Sequence, residues 1–281
     1  MNMRDVLELI EQKRQEFIHL PFFKFLQDRS IDLKKRASGI PFWAHFVMSF
    51  KDLNAYVLRE EPTTDPIQAM INQHTYEDAS HWVWYVKDLD VLGIDHSLRF
   101  TDALRFLWSE ETQKARQLSY DLLRLCASQT EPVLRLVIVE AIEATGTTAL
   151  SEGLVQLSQE LQELTHKRPL YFSDHHLRVE TGHIQAGLEN GDEEQFFDSI
   201  QLTDDQRAKA FELVETVFEY FIRFYNGLLA YSQKHSLDRP FPKGYRVPQD
   251  EVEFTQSAIA SDLDSIYLES YLLAQQPTSH R

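Results

Sequence analysis

The chain of 281 residues contains a single cysteine, only nine glycines and no long apolar run. Cys126 alone cannot form a disulfide framework or a zinc finger, and such low cysteine content is typical of a reducing compartment. No stretch approaches the roughly 18 apolar residues that span a bilayer. The formal net charge of −16 argues against a nucleic-acid groove, because an acidic surface repels phosphates. We therefore expect a soluble, cytoplasmic protein that binds neither membrane nor nucleic acid.

Long segments repeat apolar residues at helical spacing, as Val6, Ile10 and Phe17 do. The β-branched run within 133–142 lies between good helix formers, which favours a buried helix over a strand. The sequence predicts an all-α bundle of about seven or more helices, formed by residues 1–235. A proline-rich linker, a helix and a tail are predicted for residues 236–281, packing on this domain or on a partner.

Histidines and acids are concentrated in the stretch YFSDHHLRVETGHI, residues 171–184. In a helix, His176, Glu180 and His183 stand at i, i+4 and i+7, within an arc of roughly 60°. Three side chains of metal-ligand type therefore share one face. His175 points elsewhere and is expected to support the ligands.

An earlier stretch, HTYEDASHW, has a similar pattern. His74, Glu77 and His81 stand at i, i+3 and i+7 of a helix predicted to continue as far as Gly93, and Asp78 lies near the same face. The surrounding residues are bulky and apolar, which predicts burial. Buried carboxylates are costly unless they are paired or bound to a cation.

A third element is the apolar segment LVIVEAIEATG, which contains Glu140 and Glu143. An unpaired carboxylate there would cost several kcal/mol, so at least one of the two should have a cation as partner. Single histidines and acids on helices are usually solvated, but three such elements on separate helices predict a metal site. Imidazoles and carboxylates projecting inward from a helical bundle are typical of non-heme iron and di-iron sites.

These motifs resemble the heme-oxygenase-like non-heme iron oxidases and oxygenases, a family related to thiaminase-II-like proteins. The family motif H-x3-D/E-x2-H matches His176, Glu180 and His183. Glu77 and His81 match the acid and histidine of an earlier family helix. The resemblance covers roughly residues 10–230 and implies the heme oxygenase fold.

The resemblance also implies a chemistry and a division of roles. One or two Fe²⁺ ions per chain would react with O2 to oxidise a small organic substrate, such as an amine, an amino-acid derivative or a fatty acid. One ion would be held by the late-helix motif and the other by the early-helix pair. Glu143 would bridge the ions, with Glu140 as the reserve, and His74 would bind or border the site.

Further expectations concern the pocket and the assembly. Trp82 and Phe172 lie beside the implied ligands in the sequence and are expected to line the substrate pocket. The apolar helix faces permit a homodimer, which is common in this fold. Heme is not expected as a cofactor, because heme oxygenase has no use for an acid-rich ligand set.

Three alternatives remain open at this level. A thiaminase-II-like, metal-free hydrolase would use Cys126 as its nucleophile. A heme oxygenase would need a proximal histidine, for which His19 and His45 are available. A non-catalytic binding protein would use its buried histidines and acids as ion-pair networks. Bound iron would distinguish the iron-dependent enzyme from the non-catalytic binding protein.

Overall fold

The structure, a computed structural model, describes residues 2–93, 100–183 and 192–237, with the side chains of 181–183 and 192–194 excepted. Every regular element in these ranges is a helix. The extended pairing found there is an isolated bridge between Asn2 and Gln201. The predicted all-α helical fold class is confirmed.

The described helices range from a single turn to 29 residues. In chain order they are α1 (Arg4–Phe17), α2 (Pro21–Gln27), α3 (Leu33–Arg36), α4 (Ala44–Leu53), α5 (Pro66–Asp78), α6 (His81–Val91), α7 (Phe100–Leu107), α8 (Gln113–Ala127), α9 (Pro132–Ala149), α10 (Val155–Thr165), α11 (Asp174–His183), α12 (Asp192–Ser199) and α13 (Asp204–Ser232). Ala37–Trp43 and Glu110–Thr112 are 3-10 helices. Asn54–Leu58 extends α4 as a π-helix, and Leu150–Leu154 joins α9 to α10 in the same way.

Helix α13 begins with a capping box. The Thr203 hydroxyl accepts a hydrogen bond from the backbone N–H of Gln206, and the Gln206 side chain accepts one from the backbone N–H of Thr203. Two N–H groups that lack helical partners are thereby satisfied. Thr203 followed three residues later by Gln206 is the sequence pattern that predicts such a box.

The early His/Glu stretch is divided between two helices. Helix α5 ends at Asp78 and α6 begins at His81, with a turn at Ala79 and Ser80. The prediction of one continuous helix up to Gly93 is wrong for this reason, although Gly93, with φ of 68°, does follow the end of α6. Because the break resets the helical phase, the position of His81 cannot be counted from His74.

Helices α9 and α13 lie at the centre of the bundle. Helix α13 packs against α1, α8 and α9, while α5 and α11 both pack against α9. Most of α9 is buried, including the run Leu134–Val139. Its position between α5 and α11 brings Glu143 close to the ligand-type side chains of both.

All these helices belong to one compact unit, Met1–Phe241. None of the described helices is both long and apolar enough to cross a membrane. The C-terminal segment predicted for residues 236–281 lies outside the described residues except for Ser236 and Leu237, and it stays a prediction.

Candidate metal centre

The first cluster of candidate ligands, called cluster A, consists of His81 from α6 and His176 and Glu180 from α11. The Nε2 atom of His176 lies 2.6 Å from Glu180 Oε1 and 3.2 Å from His81 Nδ1. His81 Nδ1 lies 3.3 Å from Glu180 Oε1. All three side chains are buried. Their ligand atoms therefore converge on a single point away from bulk water.

The protonation of His176 follows from its other ring nitrogen. Nδ1 lies 2.7 Å from the backbone carbonyl oxygen of Tyr171. Since a carbonyl oxygen can only accept, Nδ1 carries the proton, and a neutral ring then presents a lone pair at Nε2. That lone pair faces a carboxylate oxygen and a second imidazole nitrogen. A cation or an additional proton is required where these atoms meet, and a histidine backed by a carbonyl is typical of metal ligands.

Aromatic packing and helix capping hold the imidazoles of cluster A in place. The Trp84 ring stacks on His81 with centroids 4.5 Å apart and an interplanar angle of 18°. The Ser173 hydroxyl accepts from the backbone N–H of His175 and so caps the first turn of α11. The Trp84 contact restricts the His81 ring, and the cap fixes the first turn of α11, which carries His176.

Asp88 fixes α11 relative to α6. Its carboxylate accepts hydrogen bonds from the backbone N–H groups of Leu170, Tyr171 and Phe172 at 2.6, 2.8 and 3.2 Å. These residues lead into α11, and Tyr171 supplies the carbonyl behind His176. Burial raises the pKa of Asp88 to about 6, against the three hydrogen bonds that lower it. This buried carboxylate links the two helices that contribute to cluster A.

The second cluster, called cluster B, consists of His74 and Asp78 from α5 and Glu143 from α9. His74 Nε2 lies 2.8 Å from Asp78 Oδ2 and 3.3 Å from Glu143 Oε1. Burial by itself would lower the pKa of His74, but the two carboxylates outweigh it and hold that pKa well above its ordinary value. Burial, together with the charges of Glu180 and Asp78, raises the pKa of Glu143, and His74 opposes that rise.

Asp78 connects the two clusters. One of its oxygens is the partner of His74, and the other lies 3.7 Å from His81 Nδ1. The influence of Glu180 on the pKa of Glu143 shows that the clusters also interact electrostatically. Two three-residue ligand sets thus lie next to each other, with one carboxylate reaching both.

The structure places Asp78, rather than Glu77, between His74 and His81 at the meeting point of the two clusters. Glu77 lies outside both clusters and accepts a hydrogen bond from Gln73 at 3.5 Å, on a more exposed side of α5. Residue 78 stands at i+4 from His74, so the two side chains share one face of the helix. The break after Asp78 then turns His81 toward α11. Counting 74, 77 and 81 along one helix favours Glu77, whereas the structure groups Asp78, which the sequence places near the same face, with His74 and Glu143.

The remaining predicted residues are distributed as follows. Glu140 lies outside both clusters, one turn before Glu143, and His175 lies outside them with its ring 5.0 Å from Trp84. His183 is the last residue of α11, and its side chain is outside the described part of the chain.

A cavity of about 60 Å³ adjoins the two clusters, with room for several water molecules. Asp78, His81, Glu143, His176 and Glu180 form its polar wall. The apolar wall includes Trp43, Phe46, Phe50, Leu150, Leu154 and Phe221. Leu150 and Leu154 bound the π-helical segment, a feature that often marks functional sites.

The two predicted pocket residues have different positions. Trp82 forms part of the cavity wall, whereas Phe172 is buried in the core, with its ring centroid 5.9 Å from that of Trp43. Tyr171, Tyr225 and Gly146 also line the cavity and were not predicted. Gly146 ends the segment that contains Glu143, but a glycine there is not of ligand type, and Tyr225 lies far along the sequence where no local pattern marks it.

Cys126 is fully buried, and burial raises the pKa of its thiol to about 12. The reactive form of a cysteine is the thiolate. A buried thiol with so high a pKa is suited to packing in the core and not to nucleophilic attack.

Comparison of the sequence with models of protein families gave no match, and comparison with curated proteins gave none either. The candidate function therefore depends on the geometry of clusters A and B.

Proposed function

We propose that this protein is an iron-dependent oxidoreductase that uses O2 to oxidise a small organic substrate. The observation that carries the proposal is the convergence of His81 Nδ1, His176 Nε2 and Glu180 Oε1 at 2.6–3.3 Å, with His176 Nδ1 directed to a backbone carbonyl. These atoms offer lone pairs to a common point beside an apolar cavity.

The composition of the clusters supports iron. Two histidines and one carboxylate are the ligand set of non-heme Fe(II) oxygenases, in which other coordination positions stay open. Cluster B adds one histidine and two carboxylates, a set suited to a second ion of the same kind. Bound Fe²⁺ would supply the electrons with which O2 is first reduced. O2 is the oxidant and the organic substrate is the reductant.

The chain's own residues would orient the ligands and exclude water. The Tyr171 carbonyl keeps the proton of His176 on Nδ1 and so directs Nε2 to the ion. Trp84 restricts rotation of the His81 ring by stacking on it. Trp43, Phe46 and Phe221 give the adjoining space an apolar wall, which limits the access of water to reactive species.

The metal-free hydrolase has no comparable support, because Cys126 is buried and its pKa is raised. The non-catalytic alternative treats the same clusters as hydrogen-bonded networks stabilised by protons. Metal binding decides between this alternative and the proposal.

The experiment is metal analysis of the protein expressed with added ferrous iron, followed by anaerobic titration with Fe²⁺, Mn²⁺ and Zn²⁺. We expect one or two irons per chain and consumption of O2 when the reduced protein is exposed to it. His176→Ala should lose the iron of cluster A. The matched control is His175→Ala, which removes the neighbouring imidazole that lies outside both clusters.

Iron at background level in the wild-type protein, with equal behaviour of His176→Ala and His175→Ala, would contradict the proposal. Tight binding of Zn²⁺ in preference to Fe²⁺, without O2 consumption, would replace the oxidoreductase with a different metal-dependent function.

A further inference from the structure

Gly146 keeps part of the cavity open. It lies on α9 in the cavity wall, one turn after Glu143. A Cβ atom added at this position would meet no atom of the described residues within 4 Å. Glycine disfavours a helix relative to alanine, and here nothing in the packing demands the missing Cβ. The space beside Gly146 is therefore available to a ligand.

Tyr225 contributes a hydroxyl group that lacks a partner. The side chain is 1% exposed, and its hydroxyl makes no hydrogen bond among the described residues. Phe17 and Phe224 hold the ring at centroid distances of 5.5 and 5.2 Å. A buried hydroxyl without a partner costs free energy, and this one belongs to a residue that lines the cavity.

The charge of the cavity limits what can bind there. Asp78, Glu143 and Glu180 line it. Burial alone raises the pKa of Tyr225. In the chain without bound metal, an anionic ligand would lie against three acidic side chains, whereas a neutral polar group carries no charge for them to repel.

We infer that the cavity binds a small, mainly apolar molecule with one neutral hydrogen-bonding group, which accepts a hydrogen bond from the Tyr225 hydroxyl. Gly146 provides the room for its apolar part, next to clusters A and B. This inference rests on the proposed function, since the bound molecule would be the substrate class. It makes Tyr225 and Gly146 determinants of substrate specificity.

The test measures the binding of phenol, toluene and benzoate to the full chain after removal of metal with a chelator, by isothermal titration calorimetry. Phenol and toluene have the same shape and differ in the hydroxyl group, while benzoate adds a negative charge. The variants are Tyr225→Phe, Gly146→Leu and Gly146→Ala. Tyr220→Phe is the control, because this residue is also on α13 but its hydroxyl accepts from Arg124 at 2.9 Å and does not line the cavity.

We expect the wild-type chain to bind phenol more tightly than toluene, and benzoate least. Tyr225→Phe should weaken phenol binding by about tenfold and leave toluene binding within about twofold. Gly146→Leu should weaken the binding of both neutral probes by more than about tenfold. Gly146→Ala should raise the midpoint of thermal unfolding, and it should weaken the binding of phenol and toluene less than Gly146→Leu does.

Equal effects of Tyr225→Phe on phenol and toluene, tighter binding of benzoate, or no binding of the neutral probes to the wild-type chain would overturn the inference. Because the probes are tested without metal, these results are independent of iron binding. A chain that binds iron but not phenol keeps the proposed function and loses this substrate class. A chain that binds phenol but not iron keeps the pocket and loses the oxidoreductase.

Discussion

Clusters A and B are adjacent three-residue ligand sets that differ in composition and in support. Cluster A has two imidazoles and one carboxylate, and cluster B has one imidazole and two carboxylates. In cluster A, a backbone carbonyl directs one imidazole and an indole ring stacks on the other. In cluster B, His74 lies between the two carboxylates, and its pKa is raised well above the ordinary value because they outweigh burial.

The comparison shows two ways in which buried acids can be accommodated. Cluster B compensates its negative charge internally, through the His74 imidazole. Cluster A instead presents lone pairs that are already oriented toward one point. We therefore expect an ion to bind cluster A more tightly than cluster B, with Asp78 coupling the two.

The largest expected effect comes from Asp78, because its oxygens face both clusters. Asp78→Ala should weaken iron binding at cluster B by more than about a hundredfold, because it removes a direct ligand. At cluster A it should weaken binding by about tenfold to a hundredfold, because it removes a neighbour of His81. Anaerobic Fe²⁺ titration measures this. Glu77→Ala is the control, since Glu77 precedes Asp78 on the same helix but lies outside both clusters. A greater loss in Glu77→Ala would reverse the assignment.

Glu143→Gln should affect cluster B selectively. The amide removes the carboxylate ligand while keeping its shape. If the wild-type chain binds two irons, we expect the content to fall to one, with the ion of cluster A retained. Glu140→Gln, one helical turn earlier, should leave the content unchanged because Glu140 lies outside both clusters. Loss of both ions in Glu143→Gln would indicate that the clusters are a single site.

Asp88→Asn tests the support of cluster A without touching a ligand. An amide NH2 group, unlike a carboxyl oxygen, cannot accept a hydrogen bond. The three backbone N–H groups therefore lose one acceptor, and the free energy of unfolding at about pH 4 should fall by about 1–3 kcal/mol. Iron affinity should fall roughly tenfold, because the segment that positions His176 loosens. Urea unfolding and metal titration measure the two effects. Asp90→Asn is the control, as Asp90 is exposed on the same helix; an equal effect of both variants would exclude the supporting role.

A smaller effect concerns the pH dependence of stability. The pKa of Asp88 is raised from 3.8 to about 6, so the folded chain holds this proton more tightly than the unfolded chain does. Its contribution to stability is therefore present below the unfolded pKa and is lost as pH rises from about 4 to about 6. The advantage of wild type over Asp88→Asn, followed by urea unfolding at several pH values, should shrink across this range. An advantage that grows with pH would mean that the three hydrogen bonds to the carboxylate outweigh its burial.

Helical periodicity predicted some parts of the candidate centre and not others. His176 and Glu180 were predicted to share a face, and they do so because α11 runs unbroken between them. Glu143 was preferred to Glu140, and the structure brings Glu143 to the other ligands. For residues 74–81, the sequence predicts one continuous helix. The turn at Ala79 and Ser80 divides this segment, so helical spacing does not relate His81 to His74. Spacing arguments hold only within one uninterrupted helix.

The sequence by itself determined the all-α class, the cap at Thr203 and the concentration of imidazoles and acids on a few helices. These features depend on local periodicity and on hydrogen bonds between near neighbours. Only the tertiary structure decided which acids meet which histidines, how Asp88 ties α6 to the start of α11, and where the Tyr225 hydroxyl is buried. Those contacts join residues far apart in the chain, and they are determined by the packing of α5, α11 and α13 around α9 and of α6 against α4.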